Sequence, residues 1–103
     1  MTNKENYRRK INSNLDLTAF QKKVLITIMD IPEGKTRSYA WVAKKAGSPL
    51  ACRAVGQALA KNPYAPDVPC HRVIASDGSI GGYSGGLAEK RRLLMRETAV
   101  MHR

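Results

Sequence analysis

The sequence predicts a mostly α-helical single domain with a small β wing, which in outline is a winged helix-turn-helix-like fold. The 103-residue chain can bury one modest core and is too short for two. Two helical patterns are joined across a Gly-Ser pair, and a short β-type segment with its turn at Asp77-Gly78 follows them. We therefore expect a folded domain over 18–103 and, over 1–17, a basic, polar N-terminal segment that can be flexible.

The first helix of the domain is expected to begin at a capping box. The hydroxyl of Thr18 can accept a hydrogen bond from a first-turn N–H, while the side chain of Gln21 reaches back to the cap. Apolar residues then recur at helical spacing. This pattern predicts a helix over about 19–30, which Pro32 and Gly34 end.

Two further helices form the predicted helix-turn-helix. The second is expected over Tyr39–Ala46, with Gly47 as its C-terminal cap. Ser48 as N-cap and Pro49 in the first turn predict a third helix over about 50–61. In this arrangement the third helix would be the recognition helix.

The wing and a last helix complete the predicted elements. A short extended piece is expected around Thr36–Ser38. The segment Val73–Ile80 has the pattern of a β-hairpin with its turn at Asp77-Gly78. Helical patterning then returns over Leu87–Glu97.

The charge of the chain predicts a polyanionic partner. Lys and Arg number 18 against 8 Asp and Glu, which gives a net charge of +10. Nucleic acid is the first candidate for such a partner and an anionic membrane surface is the second. The excess is concentrated over 32–61, where Glu33 is the single acid among six bases: Lys35, Arg37, Lys44, Lys45, Arg53 and Lys61. The alternative is that these bases only cover solvated helix faces.

Other features of the sequence limit the cellular compartment in which the protein can act. The longest apolar stretch, over 24–31, is too short to span a bilayer, and residues 1–14 lack the apolar centre of a secretion signal. Two cysteines do not make the disulfide framework of a small secreted domain. We therefore expect a cytoplasmic, nucleoid-associated protein with no membrane partner.

The third helix has small residues on one face. Ala54 and Gly56 would let that face approach a surface closely, and Arg53 is the long cation among them. Two interpretations remain open at this point. The small residues could meet nucleic acid, or they could only allow tight packing against another helix.

The densest chemical pattern is Pro69-Cys70-His71-Arg72. A thiol becomes a nucleophile when an imidazole, a cation or a helix N-terminus stabilises its thiolate. Adjacent Cys and His side chains do not meet in an extended segment, so pairing would require a turn or a bridging water. An inert, buried cysteine is the equally weighted alternative. The two cysteines and two histidines lack the paired spacing of a zinc site, so no metal is expected.

Four blocks of the sequence resemble those of a known family in their residues, their order and their spacing. They are Gly34–Tyr39, Arg53–Gly56 continuing to Asn62-Pro63, Pro69–Ile74 and Gly82–Leu87. Together they resemble the catalytic domain of the O6-alkylguanine-DNA alkyltransferases, also called methylated-DNA–protein-cysteine methyltransferases. The resemblance covers roughly residues 18–97.

The resemblance implies a catalytic role for five residues. Cys70 would accept the alkyl group from O6 of guanine, and His71 would deprotonate it through a water. Glu97 would orient that histidine, as the third member of a triad does. Asn62 would brace the turn that holds the cysteine, and Tyr39 would donate a proton toward N3 of the departing guanine.

The resemblance also implies contacts with DNA and with the flipped base. Arg53 would enter the duplex and fill the vacated position, on a helix whose Ala54 and Gly56 lie against the minor groove, and Tyr39 would help rotate the nucleotide out. The substrate-binding residues would be a flap over the alkyl group and the backbone that reads the guanine edge: Tyr83, Ser84 and Val73. Arg72 would be structural.

The resemblance therefore implies a DNA repair protein that flips out O6-alkylguanine and transfers the alkyl group irreversibly to Cys70, once per molecule. No cofactor is implied, the partner is double-stranded DNA, and we expect a monomer. Full-length family members carry a separate domain before the catalytic one, and only about 17 residues precede the first predicted helix here. The main alternative is an alkyltransferase-like sensor that binds the lesion without transfer. A winged-helix transcription factor and a cysteine hydrolase are weaker alternatives.

Overall fold

The computed structural model describes the backbone of residues 3–83 and 85–101, with side chains described through residue 98. Within these ranges the predicted mostly helical domain with a small sheet is confirmed. Helices are α1 (Asn3–Ser13), α2 (Ala19–Ile28), α3 (Tyr39–Lys45), α4 (Cys52–Ala60) and α5 (Leu87–Met101), with strands β1 (Arg37–Ser38) and β2 (Val73–Ile74) and a 3₁₀ turn at Cys70–Arg72. No helix in the described part of the chain is long and apolar enough to cross a membrane.

The core lies where α2, α3 and α4 pack together. Val24, Leu25 and Ile28 of α2 are fully buried, and Val42 of α3 and Val55 of α4 lie in the same cluster. The expected capping box starts α2. The Gln21 N–H donates to Thr18 Oγ1 at 3.1 Å, and the Thr18 N–H donates to Gln21 Oε1 at 2.8 Å.

The predicted hairpin over Val73–Ile80 is wrong. β2 pairs in parallel with β1, in a register that joins Val73 to Arg37. The residues after β2 fold into a tight turn instead, in which Asp77 Oδ1 accepts hydrogen bonds from both the N–H and the hydroxyl of Ser79. This side-chain turn competes with a returning strand, so the wing becomes a two-stranded parallel ladder that ties the start of α3 to the segment after Cys70.

The predicted N-cap of α4 is also wrong, although the helix lies within two residues of its expected bounds. Gly47, at φ +84°, ends α3, and the N–H of Ser48 is used there to close the helix end on the carbonyl of Ala43 at 2.9 Å. Ser48 and Pro49 therefore lie in a separate turn, and α4 begins at Cys52 without a side-chain cap. The later start shortens α4 but does not change which of its residues share a face.

Within residues 1–17 the structure contains a helix that the sequence analysis did not predict. The side chain of Ile11 from α1 is fully buried and belongs to the main core cluster. Lys4 Nζ lies 3.0 Å from a carboxylate oxygen of Asp30, just beyond α2. Helix α1 thus packs against the domain.

Candidate active site

Cys70 lies at the start of the 3₁₀ turn and is 3% exposed. Its N–H donates to the carbonyl of Val68 at 2.9 Å, and the N–H of Arg72 donates to the carbonyl of Pro69 at 3.0 Å. The backbone therefore turns at the cysteine, which is one of the two conditions under which the adjacent Cys70 and His71 side chains could act together. The turn is held between the loop after α4 and strand β2.

Asn62 supports this turn from the loop side. Its Nδ2 donates to the carbonyl of Val68 at 2.8 Å, and its Oδ1 accepts from the N–H of Tyr64 at 2.9 Å. The carbonyl of Val68 also accepts from the N–H of Cys70, and Asn62 acts to lower the pKa of the Cys70 thiol. One buried amide thus ties the start of the loop to the residues at the cysteine, in the position where the sequence analysis expected a bracing residue.

The environment of Cys70 acts on its pKa in two directions. Burial raises the pKa of the thiol, since it disfavours the thiolate. Hydrogen bonds from Asn62 and Tyr83 and the positive charge of Lys90 lower it, and the net direction is upward. At neutral pH the cysteine is therefore a thiol that needs a base to remove its proton.

His71 has the position and the protonation state to act as that base. Its Nε2 lies 2.9 Å from Oε2 of Glu97, and both side chains are buried. Burial lowers the pKa of His71, while the hydrogen bond and charge of Glu97 oppose that effect without reversing it. The imidazole is neutral at pH 7, and its buried Nδ1 makes no hydrogen bond to any described residue.

Arg72 holds the other side of Glu97. Its Nη2 lies 2.6 Å from Oε2 of Glu97 and its Nε lies 3.0 Å from Oε1, while Nη1 donates to the carbonyl of Ile31 at 2.8 Å. Burial would raise the pKa of Glu97, but the hydrogen bonds from Arg72 and His71 outweigh it and the net pKa is lowered. The carboxylate is therefore ionised and fixed in orientation.

Cys70 opens into a pocket of about 370 Å³, within the range of roughly 300–1,000 Å³ that small ligands occupy. Tyr39, Gly56 and Tyr83 are among the residues that line it. Gly81 has φ +71°, and a Cβ there would come within 2.7 Å of the Tyr39 hydroxyl. The glycine therefore allows the 81–83 segment to lie against this tyrosine.

Two tyrosines face this pocket in protonated form. Burial raises the pKa of Tyr39, whose hydroxyl lies 3.5 Å from the carbonyl of Gly82. Burial and the neighbouring Cys70 raise the pKa of Tyr83 to about 12. Both phenols keep their protons at neutral pH and can donate hydrogen bonds to a bound molecule.

An open groove continues from the pocket along α4. Arg53 and Gly56 line it together with Cys52, and the Arg53 side chain is exposed. A Cβ at Gly56 would meet nothing within 4 Å, so the backbone is open to a partner at that point. Ala54 is half-buried and does not line this groove, so the structure separates it from the other residues of the predicted DNA-binding set.

The remaining predicted substrate residues have different surroundings. Val73 is fully buried, and its carbonyl accepts a hydrogen bond from Nζ of Lys90 at 2.7 Å. The expectation for Ser84 lies outside the described residues. No cluster of three or more potential metal ligands occurs in the part of the chain that the structure describes.

Lys90 is a site residue that sequence reasoning missed. It is fully buried, its Nζ also donates to the carbonyl of Gly82 at 2.9 Å, and it lies 5.9 Å from the ring centre of Tyr39. Burial lowers the pKa of Lys90, and the charge of Cys70 opposes this. The signal was present in the spacing, because Lys90 is three residues before Leu93 and seven before Glu97 on the inward face of α5.

Comparisons with known proteins agree with this arrangement. The family model described as "6-O-methylguanine DNA methyltransferase, DNA binding domain" matches residues 19–99. The methylated-DNA–protein-cysteine methyltransferase of Mycobacterium leprae is 51% identical over 85 residues, which cover 81% of this chain and 52% of that protein. The chain thus spans about half the length of the curated relatives named here.

Solved structures show the same likeness. The crystal structure of Mycobacterium tuberculosis OGT in complex with DNA is 48% identical, with a TM-score of 0.79, over 81% of this chain and 52% of that one. An S. pombe protein in complex with damaged DNA containing O6-carboxymethylguanine is 33% identical, with a TM-score of 0.70, over 82% of this chain and 78% of that one. The chain belongs to the family of 6-O-methylguanine DNA methyltransferase DNA-binding domains.

Proposed function

We propose that this protein repairs O6-alkylguanine in duplex DNA by transferring the alkyl group irreversibly to its own Cys70. The observation that carries the proposal is that Cys70 lines a pocket and is followed in the chain by a neutral imidazole, His71, which the carboxylate of Glu97 orients. This is the arrangement of nucleophile, base and orienting acid that activates a thiol. The relatives named for methyl transfer from DNA to a protein cysteine support it.

In the proposed step, Sγ of Cys70 attacks the alkyl carbon. A C–S bond forms, the C–O6 bond breaks, and its electron pair stays on O6. The thiol proton leaves through His71, and guanine takes up one proton from the side of Tyr39, whose raised pKa keeps it protonated. A thiol and an O6-alkylguanine thereby become a thioether and guanine, and no later step releases the alkyl group.

The target base must leave the duplex to reach the pocket. Unstacking costs a few kcal/mol, and an inserted side chain can offset part of that cost. Arg53 on the exposed groove of α4 is suited to this role, and Tyr83, which lines the pocket, would contact the flipped base. A contact of the base with the Val73 backbone stays a prediction. We propose binding through the minor groove, with phosphate affinity supplied by the net charge of +10.

We further propose that the domain over 18–103 acts as a monomer in the cytoplasm, associated with the nucleoid. The basic charge supports association with DNA rather than with a neutral partner.

A second candidate is a sensor that binds the lesion without transfer. The likeness to the S. pombe protein bound to O6-carboxymethylguanine DNA favours lesion binding in general. The proposals separate when the protein is incubated with O6-methylguanine duplex and its intact mass is measured. Transfer predicts one added methyl group in the wild type and in Cys52→Ser, whose altered residue is exposed, and none in Cys70→Ser. Tight binding without a mass change would support the sensor.

A further inference from the structure

Helix α1 makes several of its contacts with the loop that leads to Cys70. The Tyr7 hydroxyl donates to a carboxylate oxygen of Asp67, and the rings of Tyr7 and Tyr64 meet edge to face with centroids 5.8 Å apart. The Tyr64 hydroxyl accepts from Nδ2 of Asn14 at 3.0 Å and donates to the carbonyl of Lys10 at 3.3 Å. Two loop residues are therefore held from the α1 side by separate contacts.

The same loop residues lead directly to the thiol. The N–H of Tyr64 donates to Asn62, and its carbonyl accepts from the N–H of Val68 at 3.0 Å. Asn62 in turn donates to the carbonyl of Val68, which also accepts from the N–H of Cys70. An unbroken series of contacts thus runs from α1 through Tyr64 and Asn62 to Cys70.

Residues 3–13 of α1 precede the family match, which begins at residue 19, so this support is an addition to the matched domain. The helix is anchored independently of the loop, because Ile11 is buried in the core and Lys4 pairs with Asp30. A helix fixed at two other points can hold a loop in one conformation. Without it, the loop would rely on its own short-range hydrogen bonds.

We propose that Tyr7, Asn14, Tyr64 and Asp67 form a clamp, here called the α1 clamp, that positions Asn62 against Cys70 for alkyl transfer. Tyr7 and Tyr64 are then positioning residues, acting through Asn62. The inference rests on the proposed function, since it assigns the α1 clamp a role in that reaction. Its physical content is that fixing the loop keeps the Asn62 amide on the carbonyl of Val68 and beside Cys70, where it favours the thiolate.

The test uses the full chain carrying Cys52→Ser, so that Cys70 is the reactive thiol, and compares it with Tyr7→Phe/Tyr64→Phe in the same background. The double variant removes both hydroxyls and keeps both rings. We expect single-turnover transfer from O6-methylguanine duplex to slow about fivefold, the usual effect of losing one positioning hydrogen bond. We also expect the pH profile of Cys70 alkylation by iodoacetamide to move to higher pH.

Two further variants separate positioning from general stability. Thr18→Ala weakens the α2 cap, whose side-chain hydrogen bonds join Thr18 to Gln21 and to no clamp residue, by about 1 kcal/mol and should lower the melting temperature without moving the iodoacetamide profile. Asp67→Asn keeps an acceptor for Tyr7 and should retain the wild-type profile, whereas Asp67→Ala should shift it. Equal shifts in Thr18→Ala and the double variant, or no shift in the double variant, would overturn the clamp.

The iodoacetamide measurement needs no DNA, so it is independent of the proposed function. If the wild type transfers nothing from O6-methylguanine DNA but the double variant shifts the thiol profile, the proposed function fails and the link from α1 to the thiol stands. If the wild type transfers normally and the double variant matches it in both assays, the proposed function stands and the clamp is wrong.

Discussion

Nε2 of His71 lies 2.9 Å from Oε2 of Glu97, and this contact fixes which ring nitrogen remains for chemistry. With Nε2 held by the carboxylate, Nδ1 is the atom that can take a proton, and it makes no hydrogen bond to the described residues. Arg72 holds the same carboxylate from the other side. The three side chains form one hydrogen-bonded group next to Cys70. The protonation state of this group sets the rate at which the site can react.

The first prediction concerns how the rate of alkyl transfer falls at acid pH. Burial lowers the pKa of His71 below its ordinary value of 6.5, so the neutral base persists as the pH falls from 8 toward 6.5 and is lost below that value. The single-turnover rate should therefore decline on the acid side only below pH 6.5, as a rapid-quench pH series would show. Glu97→Gln should move that decline to still lower pH, because the carboxylate raises the His71 pKa, and should slow the maximal rate at least about tenfold. A loss of rate centred above pH 7 would contradict this assignment.

Lys90 should assist the thiolate through its charge. Its positive charge lowers the pKa of Cys70, so Lys90→Met should move the iodoacetamide profile of Cys70 to higher pH in the Cys52→Ser background. The variant also removes the Lys90 donor from the carbonyl of the buried Val73, at about 1–3 kcal/mol. Lys44→Met, at an exposed lysine of α3, is the matched control and should leave the profile unchanged. An unmoved profile in Lys90→Met would show that the charge is not felt at the sulfur.

Gly81 and Gly78 offer a matched pair of backbone positions. Both have positive φ, so alanine at either should cost about 1 kcal/mol of folding stability. Only at Gly81 would the new Cβ meet the Tyr39 hydroxyl, at 2.7 Å, while at Gly78 it meets nothing within 4 Å. Gly81→Ala should therefore slow transfer several-fold beyond Gly78→Ala in the same assay, with similar melting temperatures. Equal transfer rates in the two variants would show that the contact of Tyr39 with the 81–83 segment does not affect the pocket.

Arg53 should matter for duplex DNA and not for the chemistry. Because its side chain lies on the exposed groove and not in the network of Cys70, Arg53→Ala should react normally with free O6-alkylguanine base. On duplex substrate the loss should be about 10- to 100-fold, since the flipped state loses its inserted side chain. Parallel rate measurements on both substrates test this. Equal losses on both would mean that Arg53 supports the pocket instead of the duplex.

Parts of this structure could be predicted from the sequence because they depend on local rules. The capping box at Thr18 and the extents of α2 and α3 follow from side-chain hydrogen bonding and periodicity, and both were confirmed within two residues. The meeting of His71 with Glu97, 26 residues apart, was expected only through the family resemblance. Nothing in local spacing indicates that contact.

Other parts depend on contacts between distant segments, which local patterns do not encode. The partner of β2 is β1, far back in the chain, and the Asp77 turn that resembles a hairpin tip is closed by its own side chain. The helical spacing of Lys90 indicates the inward face of α5, but its two acceptors are backbone carbonyls, which have no sequence signature. Helix α1 is polar overall, and only the burial of Ile11 shows that it packs on the core.

The most direct test of the central claim is a stoichiometry measurement with excess O6-methylguanine duplex. Repaired guanine and the mass of the Cys70 peptide are followed together over time. The account predicts that product stops at one equivalent per protein, with every methyl group on Cys70 and none on the exposed Cys52. Continued turnover beyond one equivalent, or repair with an unmodified Cys70, would contradict it.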